Sequence, residues 1–204
     1  IFEYIYFTRL DSKIDNISVY EARIRGGATL AKTYPVDADL VCGVPDSGLA
    51  SAKGYSEESG IPFGLAFHKN SYVGRTFIKP TQKERESSVK IKLSVLESVV
   101  KGKRIVLVDD SIVRGTTISN LITMLRKAGA TEVHVRISSP PFLYPCYFGT
   151  DVPSNKQLIA SSHSTEEIRQ QIGADSLGYM PIEELQNMVG DLPICRASVS
   201  YTHL

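Results

Sequence analysis

The sequence predicts an α/β fold built on a doubly wound parallel sheet. Ile105–Val108 is an unbroken aliphatic run, which is typical of a strand buried on both faces. Similar short apolar runs alternate with helical patterns along the chain, as crossover connections between parallel strands require. Two of the runs lead directly into polar loops that contain glycine. In a doubly wound sheet such loops meet beyond the carboxyl ends of the strands, where ligands bind.

In the first half of the chain, apolar periodicity and capping residues define the elements. Ser18, followed three residues later by Glu21, has the pattern of a capping box and predicts a helix start. The mainly apolar segment Ala38–Val44 predicts a buried strand. The predicted elements are a strand at Glu3–Phe7, a helix from Ser18 to Ala31, a strand at Ala38–Val44, a helix at Leu49–Ser59, a short strand at Pro62–Phe67 and a helix at Val89–Val99.

In the second half, the strand Ile105–Val108 is followed by a helix whose apolar positions recur at helical spacing and whose end is basic, at Arg126 and Lys127. The alternating segment Val133–Ile137 predicts another strand. The remaining predictions are a helix opening at Ser164 and Thr165, and an extended segment from Asp175 to Met180 that leads into a last helix at Pro181.

Composition excludes several classes of protein. The chain has 204 residues, 42% of them hydrophobic, which is enough for one sizeable core, and a net charge of +1, which gives no general attraction to nucleic acid or to a membrane. No run reaches the roughly 20 apolar residues that span a bilayer. Three cysteines make no disulfide framework. We therefore expect a cytoplasmic protein that binds neither nucleic acid nor membrane.

The segment after the central strand carries the clearest chemistry. Asp109 and Asp110 follow the strand directly, and Ser111–Thr117 supplies one glycine and three hydroxyl residues before a helix. Backbone N–H groups at the start of a helix favour a phosphate dianion, while paired carboxylates accept from sugar hydroxyls or hold a divalent cation. This pattern indicates a site for a phosphorylated sugar. The structural alternative is an acidic pair that merely caps the strand.

A second loop, Pro45–Gly48, follows the strand Ala38–Val44 and precedes a helix. A glycine here lets the backbone approach an oxyanion closely. Taken alone, the tetrapeptide Pro-Asp-Ser-Gly is an ordinary turn. Its position between a buried strand and a helix favours a binding role at the same edge of the sheet.

The segment Val106–Thr117 resembles the phosphoribosyl diphosphate (PRPP) motif of type I phosphoribosyltransferases, a fold with a parallel sheet and a small hood. Further segments narrow the resemblance to the glutamine PRPP amidotransferase (amidophosphoribosyltransferase) family. They are Phe2–Phe7, Val44–Gly48, Lys69–Ile78, Val133–Pro141 and Ile172–Leu177. The resemblance extends from Ile1 to about Leu185.

The resemblance implies transfer of the phosphoribosyl group from PRPP to ammonia, giving 5-phosphoribosylamine and diphosphate in the first committed step of purine biosynthesis. Family members begin with a glutaminase domain, and this chain starts where that domain should have ended. We therefore expect a synthase half that uses free ammonia. Residues 1–190 would form the phosphoribosyltransferase domain, and 191–204 an atypical tail, foreign or truncated in origin.

The resemblance also implies residue roles. Asp109 and Asp110 would face the ribose hydroxyls and Mg²⁺, with Ser47 as a further metal ligand. Asp109, Asp110, Lys69 and Arg75 would be the catalytic residues. The remaining substrate-binding residues would be Pro45, Asp46, Ser47 and Gly48 for diphosphate, Tyr72 and Gly74 in a loop that closes over PRPP, and Ser111, Ile112, Val113, Arg114, Gly115, Thr116 and Thr117 for the 5-phosphate. Ser71 stands where many relatives have an arginine.

One branch of the family carries a 4Fe-4S cluster on four cysteines. Cys146 and Cys195 match two ligand positions, the third would precede Ile1, and the fourth is Ser198. We therefore expect a cluster in the parent family and none in this chain. The family also implies inhibitory purine nucleotides and a homo-oligomer.

Three other functions remain open. A base-salvage phosphoribosyltransferase would need a hood that stacks a nucleobase. A PRPP-sensing or nucleotide-sensing module would keep the fold without turnover. A third alternative is an inactive fragment whose missing glutaminase partner leaves apolar surface exposed.

Overall fold

The structure is a computed structural model that describes residues 1–70, 93–145 and 157–200. Its strands in these ranges are β1 (Lys13–Ile14), β2 (Ile17–Ser18), β3 (Leu40–Gly43), β4 (Phe67–Lys69), β5 (Leu93–Val95), β6 (Arg104–Asp109), β7 (Glu132–Ile137) and β8 (Ser176–Tyr179). Its α-helices there are α1 (Val19–Thr33), α2 (Leu49–Ser59), α3 (Glu97–Val100), α4 (Thr116–Lys127), α5 (Thr165–Ile172), α6 (Gln186–Val189) and α7 (Ala197–Ser200). Short 3₁₀ turns span Ile159–Ser161 and Glu183–Leu185.

A four-stranded parallel sheet, in the order β3-β6-β7-β8, forms the centre of the fold. Val108 of β6 is in register with Gly43 of β3, and Asp109 is in register with Ile137 of β7. The carboxyl ends of these strands therefore lie along one edge. The predicted fold class is confirmed.

The sheet separates two apolar cores. Val106 and Val108 point into one core, which is formed mainly with α1, α2 and the C-terminal helices. Ile105 and Leu107 point into the other, formed mainly with α4 and α5. Because alternate residues of β6 enter opposite cores, the strand needs apolar residues at every position, which explains its unbroken aliphatic run.

Helices α1 and α2 pack backbone against backbone. A Cβ atom at Gly27 would lie 1.8 Å from the carbonyl oxygen of Ser51, and one at Gly54 would lie 2.0 Å from that of Ile24. Only hydrogen fits at these two positions. This contact fixes α2, and α2 begins directly after the loop Pro45–Gly48.

Ser18 and Ser164 both cap their helices, Ser18 with one of the two hydrogen bonds of the predicted capping box and Ser164 with both. The Ser18 hydroxyl accepts a hydrogen bond from the backbone N–H of Glu21 at 3.3 Å. Ser164 and Glu167 form a complete capping box at the start of α5. Helix α2 has the predicted bounds and ends at Gly60 with a positive φ of 73°.

Three element predictions are wrong. Glu3–Phe7 is a single π-helical turn, not a strand, because its carbonyls bind a buried arginine of α1. Leu93–Val95, inside the predicted helix Val89–Val99, is strand β5, and the described helix there is only Glu97–Val100. In the segment Pro62–Phe67, an isolated bridge joins Phe63 to Val41, and the strand itself is Phe67–Lys69.

The described part of the tail packs onto the domain. Ile194 and Val199 are buried in the core that contains α1. The backbone N–H groups of Leu143 and Tyr144 both donate to the carbonyl of Ser198 at 3.0 Å. The domain boundary at 190 stays a prediction. Among residues 1–70, 93–145 and 157–200, no helix has the length and apolar character needed to cross a membrane.

Candidate functional site

The two predicted loops meet at the carboxyl edge of the sheet. The backbone N–H of Val44 donates to the carbonyl of Val108 at 2.9 Å, which brings the start of one loop beside the end of β6. A Cβ atom at Gly48 would lie 2.3 Å from the Val108 oxygen and 3.2 Å from Cα of Asp109. Gly48 is therefore required for the close approach of the loop Pro45–Gly48 to the acidic pair.

Asp109 and Asp110 form a nearly buried acidic pair, with 8% and 6% of their surfaces exposed. The Asp109 carboxylate accepts from the backbone N–H of Asp110 at 2.9 Å, and the Asp110 carboxylate accepts from the Ser111 hydroxyl. Burial raises the pKa of Asp109 well above its usual value, and the charge of Asp110 raises it further. Burial likewise raises the pKa of Asp110. A cation placed here would relieve an electrostatic cost that the folded chain already carries.

Two other groups face this pair. The Ser47 side chain lies near both carboxylates, and the interaction with its hydroxyl lowers the pKa of Asp109 and of Asp110. The positive charge of Arg23 on α1 also lowers the pKa of Asp110. Arg23 is 4% exposed, and burial lowers its own pKa.

Arg23 was not predicted from the sequence. Its guanidinium donates to the carbonyls of Tyr4, Tyr6 and Thr8 at 2.7, 3.2 and 2.9 Å. A signal was present, because Arg23 lies four residues after buried Val19 and seven before buried Leu30, on the apolar face of α1. An arginine on that face needs buried acceptors.

The predicted phosphate loop, Ser111–Thr117, is fixed by contacts with the segment around Gln157 and Ile159. Gly115 has a positive φ of 79° and directly precedes α4, whose first turn has no side-chain cap from the described residues. The carbonyl of Val113 accepts from the N–H of Ile159 at 2.9 Å, and Arg114 binds the side chain of Gln157. The open N–H groups of the first turn, together with exposed Thr116 and Thr117, provide donors for a phosphate. Ile112 is buried, so it can contribute only its backbone.

Lys69 lies at the same edge, in an ion pair with Asp46 of the loop Pro45–Gly48. This contact was not foreseen, since both residues were expected to serve PRPP separately. Tyr72, Gly74 and Arg75, the other predicted residues of this segment, lie outside the described residues.

Comparison with known proteins identifies the family. Residues 15–138 match the family model described as a phosphoribosyl transferase domain. The chain belongs to this family. The phosphoribosyl transferase domain is also 56% identical over 200 residues to an amidophosphoribosyltransferase of Methanocaldococcus jannaschii, and 57% identical over 188 residues to that of Bacillus subtilis. These alignments cover 98% and 92% of this chain, and 42% and 40% of those proteins.

A solved structure supports the same assignment. The domain superposes with a TM-score of 0.90 and 52% identity on a glutamine PRPP amidotransferase from B. subtilis complexed with ADP and GMP. The match covers 99% of this chain and 46% of that one. The chain thus spans less than half the length of these relatives. The resemblance to the amidotransferases is confirmed.

Magnesium fits the donor set of this phosphoribosyl transferase domain. The carboxylates of Asp109 and Asp110 and the hydroxyl of Ser47 lie close together, and all three supply hard oxygen donors. Magnesium in proteins is commonly held by one or two carboxylates together with substrate phosphates. The raised pKa of the carboxyl pair adds an electrostatic reason for a cation.

Two of the family's 4Fe-4S ligand positions, Cys195 and Ser198, lie in the described residues of the domain. The N-terminal nitrogen of Ile1 donates to the carbonyl of Cys195 at 3.2 Å, and the backbone N–H groups of Leu143 and Tyr144 donate to the carbonyl of Ser198. Within the described residues Cys195 supplies a thiol and position 198 is a serine, while Cys146 lies outside the described ranges. The absence of a cluster from this chain therefore stays a prediction.

Proposed function

We propose that this chain transfers the phosphoribosyl group of PRPP to ammonia, giving 5-phosphoribosylamine and diphosphate. One observation carries the proposal: a buried acidic pair, a hydroxyl-bearing diphosphate loop and an uncapped helix start lie at one edge of a parallel sheet. These are the parts that a sugar with phosphates at both ends requires. In the relatives this region is less than half of a longer protein, so ammonia would come from glutamine there.

The proposed binding mode follows the geometry of the edge. The 5-phosphate would accept hydrogen bonds from the N–H groups of Ser111–Thr117, while the ribose hydroxyls would donate to Asp109 and Asp110. The diphosphate would lie over Pro45–Gly48, within reach of Lys69 at the end of β4. The sequence adds three residues to this binding mode: Arg75 as a catalytic residue, and Tyr72 and Gly74 in a loop that closes over PRPP.

The reaction breaks the bond between C1 of ribose and diphosphate as the nitrogen of ammonia attacks. Positive charge develops on the sugar, and the fixed carboxylates of Asp109 and Asp110 would stabilise it. Lys69 and Arg75 would neutralise the departing diphosphate. Magnesium, held by Asp109, Asp110 and Ser47, would supply further neutralisation of the leaving group.

The relative complexed with ADP and GMP supports a further ligand class. We propose that purine nucleotides bind this chain, because their 5-phosphate has the same chemistry as that of PRPP. A homo-oligomer and a glutaminase partner remain proposals from the family.

Release of diphosphate from PRPP, measured with Mg²⁺ and ammonium chloride, tests the proposed activity. We expect release with ammonium and none with glutamine, because these 204 residues would carry only the phosphoribosyl transfer. The double variant Asp109→Asn, Asp110→Asn is the negative control. Binding of PRPP without turnover would indicate a PRPP-sensing module and not an enzyme. If PRPP does not bind at all, the proposal fails.

A further inference from the structure

An ion pair joins the loop of the proposed diphosphate site to strand β4. The ammonium of Lys69, the last residue of β4, binds the carboxylate of Asp46 in the loop after β3. These two residues are 23 positions apart in the chain, and β3, which precedes the loop of Asp46, belongs to a different sheet from β4. The contact therefore reflects tertiary placement and not local sequence.

The chemistry of this pair conflicts with simple substrate binding. Asp46 is a carboxylate in a loop that would receive an anion, and Lys69 would neutralise that same anion. In the ligand-free chain the lysine already has an anionic partner. We propose that Asp46 competes with diphosphate for Lys69 and thereby sets the affinity of the site for PRPP and diphosphate. This inference rests on the proposed function.

Exposure determines how easily the pair can separate. The side chains of Asp46 and Lys69 are 70% and 47% exposed, in contrast to the buried Asp109 and Asp110. Exposed ion pairs contribute little to stability, because water solvates both partners when they part. The Asp46 carboxylate can therefore turn to solvent while Lys69 passes to the more highly charged diphosphate.

The exchange has a consequence for release of the product. When diphosphate leaves, Asp46 again supplies a partner for Lys69, so the lysine is never left without an anion at this edge. The carboxylate thus weakens the hold on diphosphate and favours its departure. In this account the carboxylate of Asp46 limits the affinity for diphosphate and does not itself bind it.

Titration calorimetry with magnesium diphosphate tests the competition directly. We expect Asp46→Asn to tighten binding by about three- to tenfold, since it removes both a weak ion pair and a like charge. Lys69→Gln should weaken binding, and should weaken it by a larger factor in the Asp46→Asn background. The matched control is Glu57→Gln, which breaks the Lys53–Glu57 pair on α2 with the same change of charge. It should leave binding unchanged.

The outcomes of this experiment distinguish failure of the competition between Asp46 and diphosphate from failure of the proposed function. Equal or weaker binding by Asp46→Asn would overturn the competition, as would equal tightening by Glu57→Gln, which would indicate a general charge effect. If the unaltered chain bound neither PRPP nor diphosphate, both proposals would fail. If it bound both ligands and Asp46→Asn changed nothing, only the competition would fail.

Discussion

Asp109 and Asp110 place two negative charges side by side with little access to water. Burial raises the pKa of both, and the charge of Asp110 raises that of Asp109 further, while Ser47, Ser111 and Arg23 compensate in part. A carboxyl whose pKa is raised on folding binds its proton more tightly in the folded chain. It therefore supports folding below its ordinary value of 3.8, and this contribution is lost as pH rises through the folded pKa. At neutral pH the charged pair therefore lowers the stability of the folded chain.

Neutralising this pair should stabilise the chain while abolishing its activity. For Asp109→Asn with Asp110→Asn we expect an unfolding midpoint several degrees higher at pH 7, since Asn Oδ1 at position 109 can still accept from the backbone N–H of residue 110. The gain should shrink as the pH falls through the raised pKa values of the two carboxyls and vanish below their ordinary value of 3.8. Diphosphate release should fall by about a hundredfold or more. Thermal unfolding as a function of pH, with the surface variant Asp191→Asn as control, measures the effect; a lower midpoint at pH 7 would contradict it.

At the scale of elements, the phosphate loop depends on the backbone of Gly115. Its φ of 79° is unfavourable for any residue with a Cβ, and that Cβ would lie 3.1 Å from Cδ1 of Ile159. Gly115→Ala should therefore cost about 1–2 kcal/mol of stability from the backbone alone. It should also weaken PRPP binding, because the loop must shift.

Gly102→Ala is the matched control for this prediction. Gly102 has a φ of 75°, and a Cβ atom there would have nothing within 4 Å. Alanine at this position therefore has the same unfavourable backbone conformation, but it makes no close side-chain contact and lies outside the phosphate loop. Chemical denaturation should give similar losses for the two variants, with PRPP affinity reduced only in Gly115→Ala. Unchanged affinity in that variant would show that the phosphate lies elsewhere.

The crossing of α1 and α2 sets the position of the loop Pro45–Gly48. Gly27→Ala would place Cβ 1.8 Å from the carbonyl of Ser51, so the helices must separate. We expect a loss of about 1–3 kcal/mol or more by chemical denaturation. Gly26→Ala, whose Cβ would meet only the flexible end of Met188 at 3.2 Å, should be nearly neutral. Equal effects at the two positions would contradict the close backbone contact.

At the scale of the whole molecule, the sequence predicts what depends on local pattern. Strand β6 and helix α4 follow from apolar periodicity, and the meeting of Pro45–Gly48 with Asp109 follows from parallel strands that end at one edge. Glu3–Phe7 was misread as a strand because its carbonyls are held by Arg23, a contact that no local pattern encodes. The Asp46–Lys69 pair was not predicted for the same reason, since it joins the loop after β3 to the end of β4, 23 positions along the chain.

The identity of the nucleophile is the central claim about the molecule as a whole. The most direct test is to incubate the chain with PRPP, Mg²⁺ and [¹⁵N]ammonium and to follow C1 of the ribose in situ by NMR. We expect a new nitrogen–carbon bond at C1, formed in step with diphosphate release and absent when both Asp109 and Asp110 are changed to Asn. Diphosphate release that yields only ribose 5-phosphate, or no reaction at C1, would contradict the transfer to ammonia.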